Sequence, residues 1–220
     1  MKFQTLEKIP SYIIGLWLGD GYWWGSSIGL TNTKLHLIQI FRNFLETLKF
    51  QKERVKMSVY TGNGNLTSKD KQYLSELLNI PENNIKSYKF SKGDRIVYIL
   101  YVNSRPLKRK FEEIKRNLED FINSPESLLE YLAGRIDADG NFELNKNRIR
   151  ISYTTKAEAE RDAKMILNTF QKMPKISYYS GANEWILEIV GKDWKFLVDK
   201  ISKLVKKGDI LAQGHRQLVP

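Results

Sequence analysis

The chain has 220 residues, and its 36 Lys and Arg outnumber its 25 Asp and Glu, which gives a formal net charge of +11. A hydrophobic content of 41% is enough for a packed core, so wholesale disorder is excluded, and the excess positive charge predicts a polyanionic partner. With no cysteine and only two histidines, the sequence excludes disulfide scaffolds, zinc ribbons and thiol nucleophiles.

Hydrophobic periodicity predicts the same order of elements twice along the chain. The first half is predicted to contain helix Ser11–Gly19, strands Tyr22–Trp24 and Ile28–Asn32, helix Lys34–Lys49, strand Arg54–Tyr60, helix Lys69–Leu78, strand Arg95–Asn103 and helix Lys108–Ile122. The second half is predicted to contain helix Ser124–Ala138, strands Phe142–Leu144 and Arg148–Thr154, helix Ala157–Lys172, strands Lys175–Tyr179 and Glu184–Val190, and helix Asp193–Val205. We therefore expect an internal duplication with two domains, residues 1–122 with an insertion near 65–90, and residues 123–220.

The sequence has no segment typical of a membrane span or a secretory signal. Its apolar run near the start, Tyr12–Leu18, is shorter than the roughly 20 residues that a membrane helix needs. No small-residue cleavage site accompanies this run. We expect a soluble intracellular protein, located in the cytoplasm of a prokaryote or, as the alternative, in an organelle.

Two predicted strands alternate between apolar and polar side chains. In Arg54–Tyr60 and Arg148–Tyr153, one alternating set is apolar or aromatic, and the other contains Arg, Lys and Ser. An ordinary solvated sheet face is one interpretation of each strand taken alone. Two such strands in a chain of net charge +11 instead favour a surface that binds a nucleic-acid backbone.

The opening helix of each half ends in the same way. The segments Ile13–Gly21 and Leu132–Gly140 align at an offset of 119 residues, since 139 − 20 = 119. The aligned pairs are Gly15 with Gly134, Gly19 with Ala138, Asp20 with Asp139, and Gly21 with Gly140. The small residues are four positions apart, so they share one helix face and would let two helix axes approach closely.

If these helices pack together, Asp20 and Asp139 come to lie beside each other at the C-terminal ends. Their charges repel each other and oppose the helix dipole, and a divalent cation would remove that penalty. A site with few protein oxygens, and with room for water and phosphate oxygens, suits Mg²⁺. A single Asp-Gly pair is more simply a helix cap, whereas its repetition at equivalent points favours a site. A calcium-binding loop beginning at Asp137 is excluded, because its twelfth position is Arg148 instead of glutamate.

These residues resemble a known family. Leu132–Gly140 departs at one position, Arg135, from the nine-residue motif of the LAGLIDADG homing endonucleases, and Ile13–Gly21 is a looser copy. Two copies in one chain look like the single-chain, two-motif, pseudo-dimeric members. The resemblance implies an α+β fold of two pseudo-symmetric αββαββα repeats, with antiparallel sheets that form a DNA-binding saddle and motif helices packed at its centre.

The resemblance also implies an activity and its metal ions. The expected reaction is hydrolysis of both strands of a long double-stranded DNA target, with short 3′ overhangs, by a monomer that uses two or three Mg²⁺ ions, for which Mn²⁺ substitutes. Asp20 and Asp139 would be the metal ligands, assisted by the main-chain carbonyls of Gly19 and Ala138. Since relatives vary outside these acids, the assisting groups are candidates: Lys34 and Lys156 for charge on phosphate, Asn32 and Thr154 for positioning water, and Lys192 as a rival lysine. A solvated helix start is the simpler interpretation of each lysine.

Side chains on the polar strand faces are expected to contact DNA. They are Trp23, Trp24, Ser26, Thr31, Arg54, Lys56, Ser58, Arg148, Arg150 and Ser152. The two tryptophans have an alternative place in the core, and the glutamates of Glu184–Val190 fit poorly with a uniformly basic surface.

The alternative to cleavage is binding alone, as an RNA-binding intron maturase or as a non-catalytic DNA-binding module of the same fold. Intron RNA is therefore a second candidate partner. Because the chain starts with Met and has no splicing-junction cysteine, an intron-encoded protein is favoured over an intein remnant.

Overall fold

The computed structural model describes residues 9–90, 95–143 and 146–206. These residues form two compact units: Asp20–Glu112 belong to the first unit, and Ile9–Gly19 with Glu113–Lys206 belong to the second. The predicted boundary near Asn123 concerns the sequence repeat, and it stays a prediction. No helix within the described residues is long and apolar enough to cross a bilayer.

The first unit contains a five-stranded sheet. Its strands are β1 (Gly21–Trp24), β2 (Ser27–Asn32), β3 (Val55–Thr61), β4 (Ile85–Lys89) and β5 (Val97–Asn103). Their order is β1-β2-β5-β3-β4, in which β3 and β4 are parallel and every other pair is antiparallel. The helices that begin in this unit are α2 (Leu35–Thr47), α3 (Ser68–Leu78) and α4 (Arg105–Arg116).

The core of the first unit follows from the alternation of buried residues along the strands and from the apolar stripe along the helices. Val55, Met57 and Val59 alternate along β3 and are fully or almost fully buried, as the sequence predicts. Helix α2 buries one apolar stripe, which includes Phe41 and Leu45. The polar residues between the buried positions of β3 are left on the opposite face of the sheet.

The second unit contains a four-stranded antiparallel sheet. Its strands are β6 (Gly140–Glu143), β7 (Arg148–Tyr153), β8 (Lys175–Tyr179) and β9 (Glu184–Val190), in the order β6-β7-β9-β8. Its helices are α5 (Leu118–Phe121), α6 (Pro125–Asp139), α7 (Lys156–Phe170) and α8 (Lys195–Ser202), and most of α1 (Ser11–Asp20). This order matches β1-β2-β5-β3 of the first sheet, so the repeat and the α+β class are confirmed.

The observed elements depart from the prediction at three places. The predicted helix over 108–122 is interrupted at Asn117, so it forms α4 and α5. The predicted last helix begins instead with a 3₁₀ turn, Lys192–Trp194, before α8. The insertion adds α3 and the unpredicted strand β4, whose parallel pairing with β3 is the exception to the antiparallel prediction. Leu144 and the chain after Lys206, including His215, lie outside the described residues.

Candidate active site

Two glycines bring α1 against α6. A Cβ atom built on Gly15 would lie 2.0 Å from the carbonyl oxygen of Tyr131, and one built on Gly134 would lie 2.1 Å from that of Tyr12. Both distances are far inside van der Waals contact, so only glycine fits. Tyr12 and Tyr131 are themselves related by the repeat offset, since 131 − 12 = 119. The two helices therefore contact each other reciprocally.

A third contact lies where equivalent residues face each other. A Cβ atom on Gly19 would lie 2.3 Å from the Cβ of Ala138, its counterpart in the repeat, and 2.9 Å from Oδ2 of Asp139. Residues related by a local two-fold axis meet their counterparts in this way. Asp20 directly follows Gly19 and ends α1, just as Asp139 ends α6. The close helix approach that the sequence predicts is therefore observed.

The glycine after the second acid is not a left-handed helix cap. Gly140 begins β6 with an extended backbone, φ −101° and ψ 164°, instead of the left-handed conformation of a helix-ending glycine. A Cβ atom there would lie 2.4 Å from Cα of Ile136. Glycine is required at this position by space, because the strand leaves directly from the last helical turn.

In the first unit, the junction between β2 and α2 surrounds the first acid. The Nδ2 of Asn32 donates to Oδ2 of Asp20 at 2.5 Å, and Oδ1 of Asn32 accepts from the backbone N–H of Lys34 at 2.7 Å. Lys34 is the N-cap residue of α2. Asn32 is thereby oriented toward Asp20 by its own chain, and the role predicted for Lys34 stays a prediction.

In the second unit, the second acid has a cationic neighbour. The side chain of Asp139 is 37% exposed, and its Oδ2 lies 3.8 Å from Nη1 of Arg135, one helical turn earlier. The guanidinium of Arg135 lies 4.6 Å from the ring centroid of Tyr153 and donates to the carbonyl oxygen of Ser152 at 3.3 Å. Asp139 thus lies beside a buried cation.

A buried carboxylate supports this arrangement. Asp162 on α7 is fully buried and accepts from the hydroxyls of Tyr131 at 2.7 Å and Tyr153 at 2.8 Å, as well as from Arg161. Burial raises the pKa of both tyrosines, and the charge of Asp162 raises it further. Burial lowers the pKa of the Arg135 guanidinium. Its acidic neighbours, of which Tyr153 has the largest effect, raise that pKa by more, so the net shift is upward.

Sequence reasoning missed several of these residues. Arg135 is noticeable only as a cation within an apolar motif, and Asp162 only as an acid within the buried stripe of α7. Asp137 is also buried and accepts from the hydroxyl of Tyr12 at 2.6 Å, which gives the helix pair a polar contact beside its glycines.

The remaining candidate catalytic residues are exposed on the surface of the second unit. Lys156 begins α7, where its ammonium pairs with Glu160 at 2.9 Å and lies 5.6 Å from the ring centroid of Trp185. Thr154 is exposed on the link between β7 and α7, and Lys192 is exposed in the 3₁₀ turn after β9. Their catalytic roles stay predictions.

The first sheet presents most of its predicted DNA contacts to solvent. Trp23 is 49% exposed and Trp24 is 78% exposed, so the core alternative for these residues is wrong. Lys56 is exposed on β3, but Ser58 is only 8% exposed and has little surface to offer a ligand. Arg54 precedes β3 in the 3₁₀ helix Lys52–Arg54, where it donates to a backbone carbonyl. The half-buried residues of this set are Ser26 and Thr31.

The corresponding face of the second sheet pairs its cations with acids. Glu188 on β9 lies 2.9 Å from Nε of Arg150 and also pairs with Arg148. Glu143 pairs with Arg148 too, and hydrogen bonds from Lys146 and Arg148 lower the pKa of the Glu143 carboxyl to about 2. The charges on this face therefore alternate in sign, as the glutamates of β9 indicate.

The residues at the helix ends fit a hard divalent cation. The described residues contain no cluster of three or more His, Asp or Glu side chains suited to a metal. At each helix end taken by itself, Asp20 or Asp139 would supply a carboxylate oxygen, and the last turn of the helix would supply a main-chain carbonyl. So few protein oxygens leave ligand positions for water and phosphate, as Mg²⁺ prefers.

Two repeats of one sheet order, with a glycine-packed helix ending in Asp from each repeat, define an α+β protein of two LAGLIDADG-type motifs. Residues 7–115 match the family model described as a LAGLIDADG-like domain. This part of the chain belongs to the LAGLIDADG family. A comparison with curated proteins gives no match.

Solved structures share this fold. The crystal structure of I-DmoI in complex with DNA and Mn has a TM-score of 0.57 and 18% identity, over 87% of this chain and 94% of that chain. Structures of mesophilic variants from the homing endonuclease I-DmoI have a TM-score of 0.55 and 19% identity, over 88% of this chain and 94% of that chain. The crystal structure of the N-terminal LAGLIDADG domain of DUF199/WhiA has a TM-score of 0.55 and 14% identity, over 96% of this chain and 89% of that chain. At these identities the likeness concerns the fold alone.

Proposed function

We propose that this protein is a site-specific homing endonuclease that makes a metal-dependent double-strand break in a long DNA target and leaves short 3′ overhangs. The observation that supports this most strongly is the reciprocal glycine contact between two helices that each end in an aspartate. A helix pair that needed only to be stable would not require an acid at both negatively polarised ends.

Each aspartate would bind a divalent ion with help from the preceding main-chain carbonyl, that of Gly19 or Ala138. When bound, Mg²⁺ supplies Lewis-acid chemistry: it activates water, polarises the phosphate and stabilises the leaving 3′ oxygen. Asn32 donates to Oδ2 of Asp20 and would orient that carboxylate toward the ion. Lys34, Lys156 and Lys192 are the candidates to stabilise charge on phosphate, and Thr154 would position water.

A single copy of the chain would bind duplex DNA through its polar sheet faces. Trp24 and Lys56 are exposed on the first sheet, and Arg150 is exposed on the second. The basic net charge supplies sequence-independent attraction to phosphate, and the strand side chains supply contacts to base edges. The fold match to I-DmoI in complex with DNA and Mn supports this assignment.

The second candidate function is DNA binding without cleavage. The fold match to the N-terminal LAGLIDADG domain of WhiA covers 96% of this chain, so fold alone does not separate a nuclease from a binding module. The presence of both aspartates at equivalent helix ends favours cleavage. Maturase activity on intron RNA is a further alternative, and it would not require these acids.

A cleavage assay on the predicted insertion site tests the proposal. The substrate is a plasmid that contains the joined sequences flanking the gene, incubated with Mg²⁺ or with EDTA. We expect a linear product only with Mg²⁺, and expect Asp20→Asn and Asp139→Asn each to bind the same DNA but make no double-strand break.

The matched control is Asp199→Asn, which removes an exposed carboxylate paired with Lys195 on α8 and should cleave normally. Full double-strand cleavage by either site variant would overturn the assigned acids. DNA binding by the unmodified protein without any linear product would establish the binding module instead.

A further inference from the structure

Arg135 is the one departure of the second motif from the family sequence, and it is buried. Only 4% of the residue is exposed, although it bears a positive charge at any accessible pH. The repeat offset relates it to Leu16, since 135 − 119 = 16, and Leu16 is completely buried. At this position the two motif helices therefore present a cation on one side and an apolar side chain on the other.

The surroundings of Arg135 keep the guanidinium in one place. The ring of Tyr153 lies 4.6 Å away, and the carbonyl of Ser152 accepts a hydrogen bond. The hydroxyl of Tyr153 is itself held by Asp162, which is fully buried. These contacts fix a charge-bearing side chain within the core, so that the position of its charge relative to α6 is well defined.

The fixed charge faces the acid at the end of the same helix. Nη1 of Arg135 lies 3.8 Å from Oδ2 of Asp139, and it would lie 3.2 Å from a Cβ atom on Gly19. A cation there partly neutralises the carboxylate and repels a second cation that approaches it.

We propose that Arg135 is a positioning residue whose fixed charge lies beside the Asp139 carboxylate and weakens the binding of a divalent cation by that carboxylate. This inference rests on the proposed function in taking Asp139 as a metal ligand. It adds that Arg135 lowers the affinity of that ligand.

The test measures Mn²⁺ binding to the full chain without DNA, from the electron paramagnetic resonance signal of free Mn²⁺. In an Asp20→Asn background, where Asp139 is the remaining motif acid, Arg135→Leu should tighten Mn²⁺ binding about tenfold, the factor expected for loss of one nearby positive charge. Arg135→Lys retains the charge and should bind about as weakly as the Asp20→Asn parent. In an Asp139→Asn background, which removes the carboxylate paired with Arg135, Arg135→Leu should have a much smaller effect.

Arg161→Leu is the matched control, because Arg161 also binds the buried Asp162 but is not paired with Asp139 in the described contacts. It should leave Mn²⁺ affinity unchanged, and thermal unfolding of each variant separates a folding defect from a change at the acid. Equal Mn²⁺ affinities with and without Arg135, or tightening by Arg161→Leu as well, would overturn the proposal. Absence of Mn²⁺ binding in every variant would overturn it too. A chain that failed to cut DNA but showed the expected affinity change would contradict the nuclease assignment alone.

Discussion

Gly134 makes the tightest kind of contact in the helix pair, because the neighbouring atoms are backbone. Its added Cβ would lie 2.1 Å from the carbonyl oxygen of Tyr12 and 2.7 Å from the amide nitrogen of Leu16. Backbone atoms cannot rotate aside as a flexible side chain can. A methyl group at this position can therefore be accommodated only by separating α1 from α6.

We predict that Gly134→Ala lowers the free energy of unfolding by about 3 kcal/mol, at the upper end of the cost of overpacking. The measurement is urea denaturation followed by circular dichroism. Gly181→Ala is the control, since its added Cβ meets only the ring end of Tyr179 at 3.1 Å, and it should change stability little. Equal stability of Gly134→Ala and the parent chain would mean that the helices are not packed this closely.

The individual side chains illustrate what a sequence alone can predict about the site. The equivalent positions of Asp20 and Asp139 at two helix ends were predictable, because the motif repeats around them. Asp162 was not, because its partners Tyr131 and Tyr153 come from two other elements and meet only in the folded unit. The partner of Asp139 was likewise unpredicted, since nothing local requires the side chain of Arg135 to point toward it.

At the scale of elements, one carboxylate on α7 accepts hydrogen bonds from both α6 and β7. Asp162 accepts hydrogen bonds from Tyr131 on α6 and from Tyr153 on β7, and it has no exposed surface. Removal of this acid would leave two buried hydroxyls and the partly buried Arg161 without their acceptor.

We predict that Asp162→Ala lowers the free energy of unfolding by about 3 kcal/mol, as for other buried pairs that lose one partner. Tyr153→Phe removes a single hydrogen bond and should cost about 1 kcal/mol. Urea denaturation compares both variants with the parent. Equal losses for the two variants would show that Asp162 is not the shared acceptor.

Buried tyrosines also predict how stability depends on pH. Burial raises the pKa of Tyr98 to about 12, and that of Tyr131 and Tyr153 well above its ordinary value. In the unfolded chain these hydroxyls ionise near pH 10, whereas in the folded chain they remain protonated. Their contribution to stability is thus complete below about pH 10 and is lost as the pH rises above it.

We expect the melting temperature to be insensitive to these groups between pH 7 and 9 and to fall steeply between about pH 10 and 12. Tyr98→Phe, which cannot ionise, should make this alkaline decline shallower. Thermal unfolding at a series of pH values measures both effects. An unchanged decline in Tyr98→Phe would assign the alkaline instability to other groups.

Elements with strong apolar periodicity were predictable, whereas the edge strand β4 was not. Helix α2 and strand β9 appear where the sequence predicts them, because each buries several apolar side chains at regular spacing. Strand β4 buries Ile85 but exposes Lys86 and Tyr88, so its sequence resembles a loop. Its pairing with β3 is a tertiary contact that local patterning does not specify.

At the scale of the whole molecule, net charge and local charge give different expectations for DNA binding. The chain has a net charge of +11, yet Arg148 and Arg150 are paired with Glu188. These arginines can contact phosphate only by exchanging an existing partner. The free cations of the surface should therefore dominate non-specific affinity.

We predict that Glu188→Gln strengthens non-specific binding to duplex DNA and steepens the slope of log K against log salt by about one unit, as for one additional phosphate contact. Glu184→Gln makes the same change in net charge on the same strand and serves as the matched control. It should have the smaller effect, because the pairing with Arg148 and Arg150 is made by Glu188. Fluorescence anisotropy across a salt series measures both, and identical slopes would show that net charge alone determines binding.

The reciprocal contact of α1 and α6 has a consequence for how this chain can vary. In an assembly of two identical subunits, every substitution on such an interface appears twice, and each side must tolerate its own copy. Here both helices belong to one chain, so Arg135 and its counterpart Leu16 can differ. An interface whose two sides are encoded separately is thus released from self-complementarity, and each side is free to specialise.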